Sequence, residues 1–523
     1  MMAIMAAISV AFAVTMGNLG RIMLFGNVKA SSANTGKTIT VTIPRGTVYD
    51  RKMVPLTNAA QRTLAVVPPT AEAVSAVSSQ LDSASAKAAL ERLKAGNPVL
   101  IEVPHNFKCE DAEIFSVAIR YSHDQLAAHV LGYLNGEGTG VTGIEKAYDE
   151  LLSACEPLEV TYTVDAVGRP LSGVEPQISG DAQSDNGIIL TLDSRIQRIV
   201  ESVAGEKIEK GAVVVMESST GKLLASCSLP SYSPLDLTGA LESDSALVDR
   251  TLATYNVGSV FKLCVAAAAL KNDISTFKTA NCTGNITIGE NIFNCHLLTG
   301  HGRLDMTTAL AQSCNCYFIE LGRAVGANKI YDMCVRLGFN RAYQLAEGMS
   351  AMSGILPDLT KLNEQPAALA NFSFGQGDLM LTPLHVATMV AAIANGGNHV
   401  TPSLVSGTIS NGKVNLIKTP QTYRVMSEAQ ASALSQMMKE VMSTGTGKNS
   451  MPANRQGGGK TATAETGWVI NSVAIKQSWF AGFYPDNGKY TIVVLRENGR
   501  SGAADCAPVY KEIVDMLSEL GLD

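Results

Sequence analysis

In its 523 residues the chain has no run of lysine or arginine, no Cys-x-x-Cys pair, no Pro- or Ser-rich tail and no C-terminal repeat. Each absence excludes something. With a formal net charge of −6 and no basic cluster, there is no electrostatic footprint for a nucleic acid. Ten cysteines that lack the spacing of a zinc site predict no metal centre, and nothing calls for a cofactor. The missing tail and repeat leave no sign of an appended binding module. Charge is also absent from Met1 to Gly20, a stretch mostly of Met, Ala, Ile, Val and Phe that ends at Arg21. About 20 apolar residues cross a bilayer as a helix, so residues 1–20 are expected to be a single anchor, with everything downstream outside the cytoplasm. The alternatives are a cleavable signal peptide, for which Ala11-Phe12-Ala13 offers a small-residue site, and a buried core helix. No Lys or Arg precedes the run, which leaves open a native start upstream of Met1.

An apolar content of 46% with 17% charged residues describes a globular protein, and the length exceeds one compact core. Residues 21–187 read as a mixed N-terminal domain, with a strand over 38–43, an Ala/Ser-rich helical stretch over 70–96 and a Gly-rich segment over 135–143. The turn-rich segment 180–187 marks the boundary. From 188 to 523, strands interleave with longer helices. Residues 211–216 and 223–229, joined by a Ser-Ser-Thr-Gly-Lys turn, predict a hairpin, as do 478–484 and 489–495 around Asp486-Asn487-Gly488. Pro383 opens a helix that Asn395-Gly396-Gly397 stops, and a last helix runs from about 507 to 520. The class expected is α+β, an antiparallel sheet packed between helices.

The chemistry centres on Gly258-Ser259-Val260-Phe261-Lys262. Residues 259–270 read as an apolar helix, so Ser259 and Lys262, at i and i+3, share a face. In the first turn, unpaired N–H groups favour an oxyanion, and an unprotonated Lys262 would accept the hydroxyl proton. Ser-x-x-Lys alone arises by chance about once or twice in a chain of this length. Here Ser313-Cys314-Asn315 follows 54 residues later, and Lys460-Thr461-Ala462-Thr463 comes 147 residues after that, behind Gly457-Gly458-Gly459. That order and spacing recur in the penicillin-recognising serine enzymes.

The chain resembles the class B penicillin-binding proteins, membrane-anchored D,D-transpeptidases of bacterial cell-wall synthesis, over nearly its whole length. Arg45-Gly46-Thr47-Val48-Tyr49-Asp50-Arg51 is similar to the opening of that class's N-terminal module. His129 to Tyr133, Gly143 to Tyr148 and Asp165 to Arg169 are similar to later signatures. Thr191 to Gln197, Gly300-His301-Gly302, Gly375-Gln376-Gly377, Thr382-Pro383-Leu384 and Trp479 to Phe483 resemble landmarks of the catalytic domain. The resemblance implies an elongated pedestal under a transpeptidase domain with a penicillin-binding-protein/β-lactamase fold. It further implies peptidoglycan stem peptides as substrates, covalent binding of β-lactams and a multispanning glycosyltransferase as membrane partner, since no glycan-polymerising domain is visible.

Carried over motif by motif, the resemblance makes Ser259 the nucleophile, Lys262 its base, Ser313 a proton relay and Asn315 a bridge to substrate. Lys460 supplies positive charge, Thr461 and Thr463 bind the terminal carboxylate, and the N–H groups of Ser259 and Thr463 form the oxyanion hole. The motif strand is expected at a sheet edge, where substrate adds as a further strand. Ala462 departs from the family's usual glycine and is expected to crowd that approach. Cys282 and Cys295 flank a hairpin-like segment; they form either a disulfide or two separate thiols. Cys314 and Cys316 read as packing residues, His301 and Trp479 as structural, and Arg45 with Asp50 as a structural pair. Two rival functions share these motifs: a β-lactamase or β-lactam sensor, for which no deacylating base is assignable, and a catalytically silent scaffold.

Overall fold

An unbroken apolar run such as 211–216 suits a strand covered on both faces. The computed structural model describes residues 36–522 except 244, 275–278, 421 and 471, so the expected anchor over residues 1–20 lies outside the described residues. In it the run becomes β1 (Gly211–Glu217) of a five-stranded antiparallel sheet with β2 (Leu223–Leu229), β3 (Gly458–Ile470), β4 (Val473–Tyr484) and β5 (Tyr490–Arg496). The order is β2-β1-β5-β4-β3, and both predicted hairpins are present, with Leu229 opposite Gly211 and Tyr484 opposite Tyr490. Val213 and Val215 join one buried cluster, while Ala212, Val214 and Met216 join another. Alternation along the strand therefore feeds two cores.

The first core holds Ile196, Ile199 and Val203 of α1 (Ser194–Lys207) and Val509, Ile513 and Val514 of the C-terminal helix Ala507–Glu519. The second core holds α2 (Lys262–Lys271), α4 (Pro383–Ala394) and α5 (Glu428–Ser443), together with α3 (Asn315–Val325) beside α2. Each large aliphatic side chain so buried contributes roughly 1.5–3 kcal/mol against exposure. Helix α4 starts as predicted: Pro383 occupies the first turn, and Thr382 and His385 cap each other's backbone N–H groups. Among the described residues no helix is long and apolar enough to cross a membrane.

The chain divides into two compact units that alternate along the sequence. One comprises the described residues up to 44 with 61–118 and 156–183; the other comprises 45–60, 119–155 and 184 onward. The first carries two three-stranded sheets. The helical stretch expected over 70–96 is two helices, Ala71–Gln80 and Ser83–Lys94, because the Asp82 side chain accepts from Ala84 N and Ser85 N and starts a new helix. The single N-terminal domain expected over residues 21–187 is therefore not one unit: segments 45–60 and 119–155 join the unit that holds residues 184 onward, through pairing and charge. Thr47–Tyr49 runs parallel to Gly187–Leu190, Arg45 binds Glu145 at 2.8 Å and Asp149 at 2.7 Å, and Arg120 meets Glu145 at 2.6 Å. The Arg45–Asp50 pair expected from sequence is not formed. Asp50 instead accepts from Lys52 N, Val54 N and the Ser194 hydroxyl, all within reach of its own turn and the start of α1.

Candidate active site

Ser259 lies in a 3-10 turn, Gly258–Phe261, rather than in the first turn of the α-helix, which begins at Lys262. The tighter winding stacks residues i and i+3, so serine and lysine stay on one side of the chain. Gly258 has φ +63°, and its N–H donates to Gly375 O at 2.9 Å. A Cβ on Gly375 would stand 2.0 Å from Gly258 O, and one on Gly258 would meet Thr463 O at 3.0 Å. The two glycines thus let the Ser259 turn lie between the Gly375-Gln376-Gly377 loop and β3, which brings the backbone of Ser259 beside that of Thr463.

Beneath half-buried Ser259 the other predicted residues converge. Lys262 Nζ donates to Ser313 O at 2.7 Å and Asn315 Oδ1 at 2.8 Å, and lies 3.3 Å from Ser313 Oγ. Lys460 Nζ reaches the same Ser313 Oγ at 2.9 Å and Thr461 O at 2.8 Å. Both lysines are fully buried. Burial pushes Lys262 down to about 8, against a raising pull from nearby cysteines. Lys460 is pushed well below the ordinary lysine range by burial and then by the charge of Lys262. Two ammonium groups on one hydroxyl disfavour each other, so the cluster favours one proton fewer than two free lysines would hold. The Ser259 hydroxyl makes no hydrogen bond among the described residues. Lys262 is turned to Ser313 and Asn315.

Ser313 has φ +52°, a left-handed conformation that costs of order 1–3 kcal/mol in a residue with a side chain. Its N–H donates to Leu310 O, and Cys314 then caps α3, its Sγ accepting from Tyr317 N at 3.5 Å. Asn315 donates its amide to Asn294 O at 3.2 Å. The motif strand β3 is the sheet's edge, as expected. Thr461 Oγ1 shares a 2.6 Å bond with Thr446 Oγ1, and Thr463 Oγ1 accepts from Gly502 N at 3.3 Å. Sequence reasoning missed Thr446 and Gly502, since neither belongs to a motif. Ala462, on the Lys460 face of β3, is only 3% exposed and packs in the core with Val260 and Trp479. Its methyl is thus covered rather than presented to the cleft. Ala462→Gly is expected to lower stability by about 0.5–1 kcal/mol in urea unfolding, while the rate of acylation by benzylpenicillin stays unchanged.

Trp479 is fully buried, its indole N–H donating to Asn256 O at 2.8 Å. The Cys282–Cys295 disulfide is not made: both are free thiols. They face a larger group, because the ligand atoms of Cys282, Cys295, His301 and Cys314 all lie within 4.8 Å of one another. His301, read from sequence as structural, turns Nδ1 to Cys295 Sγ at 3.5 Å.

A family model described as the penicillin binding protein transpeptidase domain matches residues 211–515. The chain is 28% identical to stage V sporulation protein D of Bacillus subtilis, over 91% of this chain and 78% of that protein. It is 30% identical to the peptidoglycan D,D-transpeptidase PbpA of Mycobacterium tuberculosis, over 76% of this chain and 83% of that one. Among solved structures, it shares its fold with a chain of a peptidoglycan synthase complex that coordinates polymerization and crosslinking, with a TM-score of 0.72 at 22% identity. That match covers 100% of this chain and 98% of the other.

Proposed function

The chain belongs to the penicillin-binding protein transpeptidase family, and from that premise we propose that it is a serine D,D-transpeptidase that cross-links peptidoglycan stem peptides and is acylated by β-lactams at Ser259. The observation that carries this reading is the meeting of Lys262, Ser313, Asn315 and Lys460 beneath a half-exposed serine at the edge of the sheet. A lone Ser-x-x-Lys would have no reason to gather them.

In this mechanism the donor peptide adds along β3, its terminal carboxylate on the hydroxyls of Thr461 and Thr463 with Lys460 beneath. That negative charge favours a protonated Lys460, and a protonated Lys460 in turn favours a neutral Lys262. Substrate thus moves the site's one labile charge to where it binds and frees the base where it reacts. Ser259 Oγ attacks the carbonyl carbon of the penultimate D-alanine and gives its proton to Lys262. The N–H groups of Ser259 and Thr463 hold the oxyanion; each such donor is typically worth ~10²–10³ in rate. The C–N bond breaks, and the departing D-alanine amine takes a proton relayed through Ser313. An acceptor amine then attacks the acyl-enzyme and restores Ser259. In a β-lactam the departing amine stays tethered, which blocks the acceptor.

We place the unit that carries Ser259 outside the cytoplasm, tethered by the uncharged stretch 1–20. A multispanning glycosyltransferase is the proposed partner, a reading supported by the likeness to a chain of a synthase complex. The direct test supplies the full chain with a synthetic stem pentapeptide ending in D-Ala-D-Ala and a labelled D-amino acid. Exchange of the label into the terminal position with release of D-alanine is the expected result; hydrolysis of penicillin without exchange would point to a β-lactamase, and neither activity to a scaffold.

A further inference from the structure

The chain has two tryptophans at opposite extremes of burial: Trp479 is fully buried, whereas Trp468 is 72% exposed. Trp468 lies on β3, the edge strand that carries the Lys460-Thr461-Ala462-Thr463 motif, and Val469 and Val473 at the same end of the hairpin are exposed with it. Apolar side chains gathered in this way mark a surface that meets a ligand or a partner. The local backbone is built to put the indole there. Thr463 pairs with Ser478, Glu465 with Lys476 and Val469 with Ala474, so Thr466, Gly467 and Trp468 together stand opposite Ile475. Such a bulge re-aims a side chain. The Thr466 hydroxyl holds it, donating to Ile475 O at 2.8 Å and accepting from Trp468 N at 3.1 Å. Gly467, at φ +77°, supplies the left-handed residue that the bulge needs.

Distance along the strand tells what the indole would meet. In the transpeptidase mechanism the terminal carboxylate sits on Thr461 and Thr463 and the reacting carbonyl at Thr463 N. The donor therefore runs antiparallel to β3, its N-terminal residues extending past Glu465. On β4, which has no extra residue here, the span from Thr463 to Val469 is the four steps from Ser478 to Ala474, about 13 Å at ~3.3 Å per residue. In the donor, three residues precede the penultimate D-alanine and the sugar that carries the stem comes next, again four steps and about 13 Å when extended. The sugar thus arrives beside Trp468 and Val469. Register puts Val469 on the face of the sheet shared by Thr463 and Glu465, since their partners Ala474, Ser478 and Lys476 alternate along β4. We infer that this end of the β3–β4 hairpin is a saccharide platform, on which the indole of Trp468 packs against the C–H face of the sugar that bears the donor stem. A tryptophan suits that task because it offers a broad, rigid surface at little cost in side-chain freedom. The inference rests on the transpeptidase reading and adds that the donor is recognised as a glycan-linked stem rather than as a peptide alone.

The test compares, in the full chain, exchange of a labelled D-amino acid into a free stem pentapeptide and into the same pentapeptide linked to its disaccharide. The wild type is expected to use the glycan-linked donor with a kcat/KM at least about tenfold higher, the scale on which one aromatic anchor contributes to an interface. Trp468→Ala removes that advantage and leaves the free peptide, and acylation by benzylpenicillin, at wild-type rates. Trp468→Phe keeps most of the advantage, and Thr466→Val, which frees the bulge, loses part of it. Binding is read apart from chemistry in Ser259→Ala: the disaccharide pentapeptide should shift the tryptophan emission to the blue, the free peptide should not, and adding Trp468→Phe should abolish the shift. A chain that exchanges neither donor yet shows this shift would overturn the transpeptidase reading while supporting the platform. The inference is overturned if the wild type uses both donors equally, if Trp468→Ala slows both alike, or if no shift appears. It is likewise overturned if Trp468→Ala keeps the preference and turns a dimer into a monomer in light scattering, which would make the patch a surface for a second copy.

Discussion

Ser259→Ala is expected to lower D-alanine release on the order of 10⁶-fold, the scale on which a serine enzyme loses turnover with its nucleophile, with the folded state intact. The side chain is half-exposed and makes no hydrogen bond among the described residues, and the fold around it is held by backbone: Gly258 N on Gly375 O, and the 3-10 turn itself. Its melting temperature should therefore match that of the wild type while initial-rate measurements of D-alanine release fall to background. A drop of only tenfold would mean that another group attacks. Ser313, whose hydroxyl meets both lysines, is 8% exposed, with little room for substrate.

Lys262→Ala is expected to slow acylation by benzylpenicillin by about 10²–10⁴-fold, the usual worth of a positioned general base, and to remove the pH dependence described next. In the wild type the lysine titrates at about 8, lowered chiefly by burial. Only the neutral amine accepts the serine proton, so the acylation rate should rise about tenfold per pH unit below 8 and level off above it. Lys262→Arg should be as slow as the alanine variant, because a guanidinium stays protonated throughout. Stopped-flow acylation from pH 6 to 10 checks both points; a wild-type rate that falls as pH rises through 8 would remove Lys262 from the role of base.

The parts of this site that sequence revealed are those where chemistry constrains neighbours along the chain. Ser259 and Lys262 are three residues apart because one turn must carry both, and Ser313 with Asn315 two apart because one loop must present both. The unbroken apolar run 211–216 and the Thr382-Pro383 start of α4 were legible for the same local reason. Long-range pairing was not. The sequence pairs Arg45 with Asp50, five residues away, whereas its partner Glu145 lies 100 residues along the chain. Thr446 meets Thr461 because α5 delivers it beside β3, and no periodicity announces that. The cysteine and histidine cluster was hidden in the same way. Its members at 282, 295, 301 and 314 have a hairpin and a helix between them, so no regular spacing in the sequence marks them as neighbours.

The central claim, a covalent acyl-enzyme on Ser259 activated by Lys262, is tested most directly by intact mass of the full chain after incubation with benzylpenicillin, with peptide mapping of the product. The account predicts an adduct of one drug mass, located on the peptide that contains Ser259 and absent from Ser259→Ala. An adduct on any other residue, or rapid drug hydrolysis with no lasting adduct, would contradict it.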